Sequence, residues 1–168
     1  MKNLSILALP IALLFASCGG NQPAADAPKT DTTSKTTPES STPGEAKLTI
    51  KVIGNSMADM GYEPTSSTVK AGDKVTLTLI NTNTMEGMLH NWVLVKLGTG
   101  QEVATAAIAA GMDKAYIPEN PNVIAASPLA KPNETVTFEF TAPAAGQYNY
   151  ICTFPVHFPK MVGKLYVE

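Results

Sequence analysis

From Lys47 onward, apolar and polar residues alternate with a period of two, and this restricts the fold more than any other feature of the chain. Leu48, Ile50 and Val52 alternate with Thr49 and Lys51; Val75, Leu77 and Leu79 with Thr76 and Thr78; Val136, Phe138 and Phe140 with Thr137 and Glu139. Successive side chains of a strand point to opposite faces, so each run reads as a half-buried strand. Further strands are expected at Asn91 to Lys96, Asn122 to Ala126, Gln147 to Cys152 and Gly163 to Val167. Turn signals such as Ala71-Gly72-Asp73 and Pro143-Ala144-Ala145-Gly146 separate them. Only Gln101 to Ala110 favours a helix, being Ala-rich and followed by Gly111 as a candidate left-handed cap. About seven or eight short strands with one helical flap imply an all-β, antiparallel sandwich or barrel over residues 47–168.

The sequence ahead of this domain has a different texture. Lys2 precedes an apolar stretch from Leu4 to Phe15, too short for a permanent bilayer span, and Ala16-Ser17 places small residues before Cys18. Residues 1–17 therefore read as a bacterial lipoprotein signal, with Cys18 the acylated residue of the mature chain. From Gly19 to Ala46 the residues are mainly Thr, Ser, Pro, Ala, Gly and charged types, which cannot offset their ordering entropy by burial. Residues 18–46 are thus expected to form a lipidated, disordered tether with a reach of roughly 30 Å. This places the domain on the periplasmic or cell-surface side of a bacterial membrane.

Charge excludes one class of partner. With 12 basic and 14 acidic residues the net charge is −2, every basic residue is Lys, and the chain lacks the cationic surplus that nucleic-acid binding needs. The cysteines are more informative. If Cys18 carries lipid, Cys152 has no disulfide partner, and an unpaired thiol in an exported protein calls for a reason. Metal ligation supplies one: Cys152-Thr-Phe-Pro-Val-His157-Phe-Pro-Lys-Met161 puts a thiolate, an imidazole and a thioether on one short loop between two strands. His90, the only other histidine, can add a second imidazole. Two His, one Cys and a weak axial Met are the donor set of blue copper, serving both Cu(I) and Cu(II).

Three stretches carry a family resemblance: Met88-Leu-His-Asn-Trp-Val93; Gly111-Met-Asp-Lys-Ala-Tyr116 followed by Val123-Ile-Ala125; and Cys152-Thr-Phe-Pro-x-His157-x-x-x-Met161-x-Gly163. Together they resemble the azurins and auracyanins of the cupredoxin family over nearly all of residues 47–168. The resemblance implies a Greek-key cupredoxin fold around one type 1 copper. His90, Cys152 and His157 would be equatorial ligands, Met161 a long axial one, and the Leu89 backbone carbonyl a weak axial contact opposite. Around them Asn91 would bridge to the backbone near Thr153, the Phe154 amide would donate to the sulfur, and the Asn55 backbone carbonyl would orient the far nitrogen of His90. Leu89 and Val156 stand where azurins have Gly, and a β-branched residue resists positive φ. The azurin disulfide has no counterpart.

The implied function is that of a membrane-tethered one-electron carrier, not an enzyme. Its port would be the His157 ring edge, within an apolar patch of Met85, Met88, Leu89, Phe154, Pro155, Val156, Phe158 and Pro159. Such a patch suits brief docking to redox proteins such as c-type cytochromes or copper and haem enzymes. Trp92 reads as core. A thiol hydrolase lacks an evident third orienting group, and a copper oxidase or reductase would need histidines that the chain does not have. A copper carrier or storage lipoprotein is the alternative.

Overall fold

The computed structural model describes residues 43–168. The signal, Cys18 and most of the tether therefore lie outside the described residues. The elements are β1 (Glu45–Ile53), β2 (Gly61–Glu63), β3 (Ser66–Val69), β4 (Lys74–Asn81), β5 (Val93–Lys96), α1 (Gly100–Ala110), β6 (Val123–Ala126), β7 (Thr135–Thr141), β8 (Gly146–Ile151) and β9 (Val162–Val167). They form a four-stranded sheet in the order β2-β1-β4-β7 and a five-stranded sheet in the order β3-β9-β8-β5-β6.

The all-β sandwich expected from the alternation is present. The inward residues of β4, Val75, Leu77 and Leu79, meet Ile50 and Val52 of β1 and Tyr150 and Leu165 of the other sheet in one core cluster. Trp92 is fully buried there, stacked on Tyr150 at a centroid distance of 5.3 Å and flanked by Phe138 and Phe140. The core reading of that residue holds.

Four details differ from the sequence reading. The sheets are mixed, because β1 pairs with β4 and β3 with β9 in parallel. Alternation reports which face is buried and is silent about the direction of the neighbour. The first strand begins at Glu45, opposite Lys74, so the sheet starts two residues before the expected boundary. Strands β2 and β3 were not anticipated; each is short, and Pro64 lies between them. Gly111 follows the helix with positive φ (70°) but ψ of −178°, outside the left-handed helical region, while its N–H still donates to the Ala107 carbonyl. The left-handed residues come a turn later, at Ala115 and Tyr116.

Candidate metal centre

Two separate stretches of backbone supply the donors. His90 precedes β5 and is held by a two-way bridge to Ala130, its N–H donating to the Ala130 carbonyl at 3.1 Å and its carbonyl accepting from Ala130 at 2.7 Å. Cys152 follows β8, and the chain turns back on itself before β9. The His157 N–H donates to the Phe154 carbonyl, the Met161 N–H to the His157 carbonyl, and the Cys152 N–H to the Met161 carbonyl. Val156 sits at the crest of this loop with φ of 62°, a conformation that its β-branched side chain disfavours.

Asn91 ties the two stretches together. Its side-chain oxygen accepts from the Thr153 N–H at 2.9 Å, and its amide nitrogen donates to the Thr153 hydroxyl at 2.8 Å and to the Ala115 carbonyl at 3.0 Å. The bridging role that the resemblance implied for Asn91 and Thr153 is present in these bonds.

The result is a convergence of three donors. The Cys152 Sγ lies 3.4 Å from His157 Nδ1 and 3.9 Å from His90 Nδ1, and all three donor atoms fall within 4.8 Å of one another. Ligands at ~2.0–2.3 Å from a divalent first-row ion in a trigonal plane would be separated by about 3.7 Å. The two observed separations bracket that value. All three side chains are buried, with His157 2% exposed and the others fully enclosed. Met161, on the same loop, is fully buried too. Leu89, half-buried, donates its N–H to the Gly87 carbonyl.

Burial dominates the electrostatics. It lowers His90 to about 3, assisted by the neighbouring His157, and lowers His157 to about 4. Both rings are therefore neutral near pH 7, the form that binds a metal. Burial pushes the Cys152 thiol up to about 11, opposed by the Asn91 and Phe154 backbone N–H groups and the Tyr62 hydroxyl at the sulfur. A bound cation reverses the larger effect, since a coordinating thiol loses its proton outright. One soft thiolate with two neutral imidazoles fits copper.

Two expectations need correction. The group hydrogen-bonded to His90 Nε2 is the side-chain amide of Asn83, at 3.2 Å, and not the backbone carbonyl of Asn55, an exposed residue whose side chain accepts from the Thr84 N–H. Met88 belongs to the buried core and not to the apolar patch. Of the remaining patch residues Met85, Val156 and Pro159 are exposed, and Leu89, Phe154, Pro155 and Phe158 are half-buried.

Asn81 and Asn83, both fully buried, escaped notice as structural supports. Asn81 donates to the Met88 and Ala130 carbonyls, bracing both sides of His90. Their signal was in the sequence: after Val75, Leu77 and Leu79, positions 81 and 83 continue the inward phase with polar residues, and buried polar groups need partners.

Comparison with known proteins agrees with this geometry. Residues 48–168 match the copper binding proteins of the plastocyanin/azurin family. Auracyanin-A of Chloroflexus aurantiacus is 44% identical over 128 residues, covering 74% of this chain and 77% of the relative. The solved structure of auracyanin A, a "blue" copper protein of that green thermophilic photosynthetic bacterium, superposes with a TM-score of 0.65 at 43% identity. The match covers 73% of this chain and 98% of that one. Reduced auracyanin from Roseiflexus castenholzii gives a TM-score of 0.65 at 34% identity, over 73% and 96%.

Proposed function

The chain belongs to the plastocyanin/azurin family of copper-binding proteins, and from that premise we propose that it is a one-electron carrier held to the outer side of a bacterial membrane by lipid on Cys18. Copper, when bound among His90, Cys152 and His157, supplies a Cu(II)/Cu(I) couple. The observation that carries the reading is the enclosure of all three donors in a clamped frame. Asn91 fixes the Cys152 segment to the His90 segment, and the turns from Cys152 to Met161 fix His157, so a change of one charge at the centre finds little freedom to move ligands. Electron transfer is favoured by that rigidity, and release of the metal is opposed by it.

His157, the one of the three donors that is not fully enclosed, is the electron port. Phe154, Pro155, Val156 and Phe158 share its loop, Phe154 packing on its ring at a centroid distance of 4.8 Å, and Met85 is a further exposed apolar residue. Between α1 and this loop lies a shallow cavity of about 150 Å³ lined by Thr105, Ile108, Phe154, Val156 and Phe158. A small apolar face of this kind supports brief docking, as exchange with c-type cytochromes or copper and haem enzymes would require.

Redox cycling in the presence of a strong Cu(I) chelator tests the reading against the copper carrier or storage alternative. The expected outcome is one electron per protein in every cycle with copper retained. Ready transfer of copper to the chelator would favour metal delivery instead.

A further inference from the structure

The ring of His90 turns its two nitrogens towards different tasks. Nδ1 faces Cys152 and His157, and a metal held there takes its lone pair. The ring proton then resides on Nε2, and the side chain is fully buried, so this N–H needs an acceptor within the protein. The polar group within reach is the Asn83 amide, whose nitrogen is drawn 3.2 Å from Nε2. The Asn83 oxygen, also buried, has no hydrogen-bond partner at all.

One change at the Asn83 amide bears on both observations, giving its oxygen a donor and carrying its nitrogen to the position the oxygen vacates. Oxygen and nitrogen of an Asn amide exchange places by a half-turn of the planar group, with almost no displacement of heavy atoms. As drawn, an N–H of Asn83 would confront the Nε2–H of a metal-bound His90 while the amide oxygen remains unsatisfied. After the half-turn the oxygen accepts from Nε2–H. The residue itself is well anchored, because its N–H donates to the Asn81 oxygen at 3.1 Å and its carbonyl accepts from the Asn133 N–H at 3.0 Å.

We propose that Asn83 is the positioning residue for the copper ligand His90, its side-chain oxygen accepting from Nε2–H. This rests on the copper reading above. An acceptor at that nitrogen makes the imidazole a stronger donor and fixes the ring plane, which favours Cu(II) relative to Cu(I).

The test is nitrogen-edited proton NMR of the full chain loaded with diamagnetic Cu(I), with copper affinities and the reduction potential measured in parallel. The wild-type protein is expected to show a slowly exchanging His90 Nε2–H. In Asn83→Leu that proton should exchange at least tenfold faster, Cu(II) affinity should fall by about 10- to 100-fold with a smaller loss for Cu(I), and the potential should rise. Asn83→Asp, which keeps an acceptor, should retain the protected proton and lower the potential. A rapidly exchanging Nε2–H in the wild type, or equal protection in wild type and Asn83→Leu, would overturn the proposal. If Asn83→Leu does not fold, loss of protection in Asn83→Asp overturns it equally. Failure of the copper reading looks different: no copper–thiolate absorption in any of the three proteins.

Discussion

Without metal, His90, His157 and Cys152 share an enclosure that favours the neutral form of each. For the histidines the folded chain binds protons only at about 3 and 4, whereas the unfolded chain does so near 6.5. Between these values the unfolded state holds more protons, so their contribution is complete above about pH 6.5 and is lost as pH falls towards 3. Cys152 behaves oppositely: its thiol ionises near 9.0 unfolded and about 11 folded, so its contribution is complete below 9 and is lost as pH rises towards 11. Urea unfolding of the metal-free protein should therefore show a stability plateau between about pH 6.5 and 9 with a decline on either side. A profile that stays flat on acidification from pH 6.5 to 4 would contradict the histidine burial. The donors themselves were legible in the sequence, because Cys152, His157 and Met161 share one short loop and His90 completes a recognisable motif. Asn83 was legible only as a polar residue on the inward phase that follows Leu79; that it meets His90 is fixed by a loop path that spacing does not encode.

At the scale of elements, the ligand loop depends on how β8 meets β9. Tyr150 faces Gly163 across this pair, with its ring lying where a side chain at 163 would begin: a Cβ there would come within 2.1 Å of the ring carbons. The ring is fully buried and its hydroxyl donates to the Pro64 carbonyl at 2.7 Å, so it has little room to retreat. Gly163→Ala should cost on the order of 3 kcal/mol by overpacking, read as a lower denaturation midpoint, and Gly163→Ala with Tyr150→Leu should cost less than the two changes summed. Additive losses would place the strain elsewhere. The strands with long alternation, β1, β4 and β7, were evident from the sequence, as was α1. Missing were β2 and β3, whose three and four residues are too few to establish a period. The parallel pairings were also hidden, because a strand carries the same inward residues whichever way its neighbour runs.

For the molecule as a whole, the metal centre lies under a face where Val156, 77% exposed, stands highest beside the nearly buried His157. A charge there would meet a docking partner before it met the metal. Val156→Asp is expected to slow electron exchange with the physiological partner while leaving the visible spectrum unchanged. A changed spectrum with unchanged exchange would assign Val156 to the metal frame and not to docking. The core and the donor cluster occupy one sandwich, with the donors gathered where Asn91, just ahead of β5, is bonded to Thr153, just past β8. Both segments must arrive together for the donors to converge, and that convergence is the claim on which everything else depends. It is tested most directly by absorption and paramagnetic resonance of the copper-loaded chain. An intense visible copper–thiolate band with small copper hyperfine splitting, abolished in Cys152→Ser, is the expected result. A weak band with the large splitting of an ordinary Cu(II) site, or a spectrum indifferent to Cys152→Ser, would contradict it.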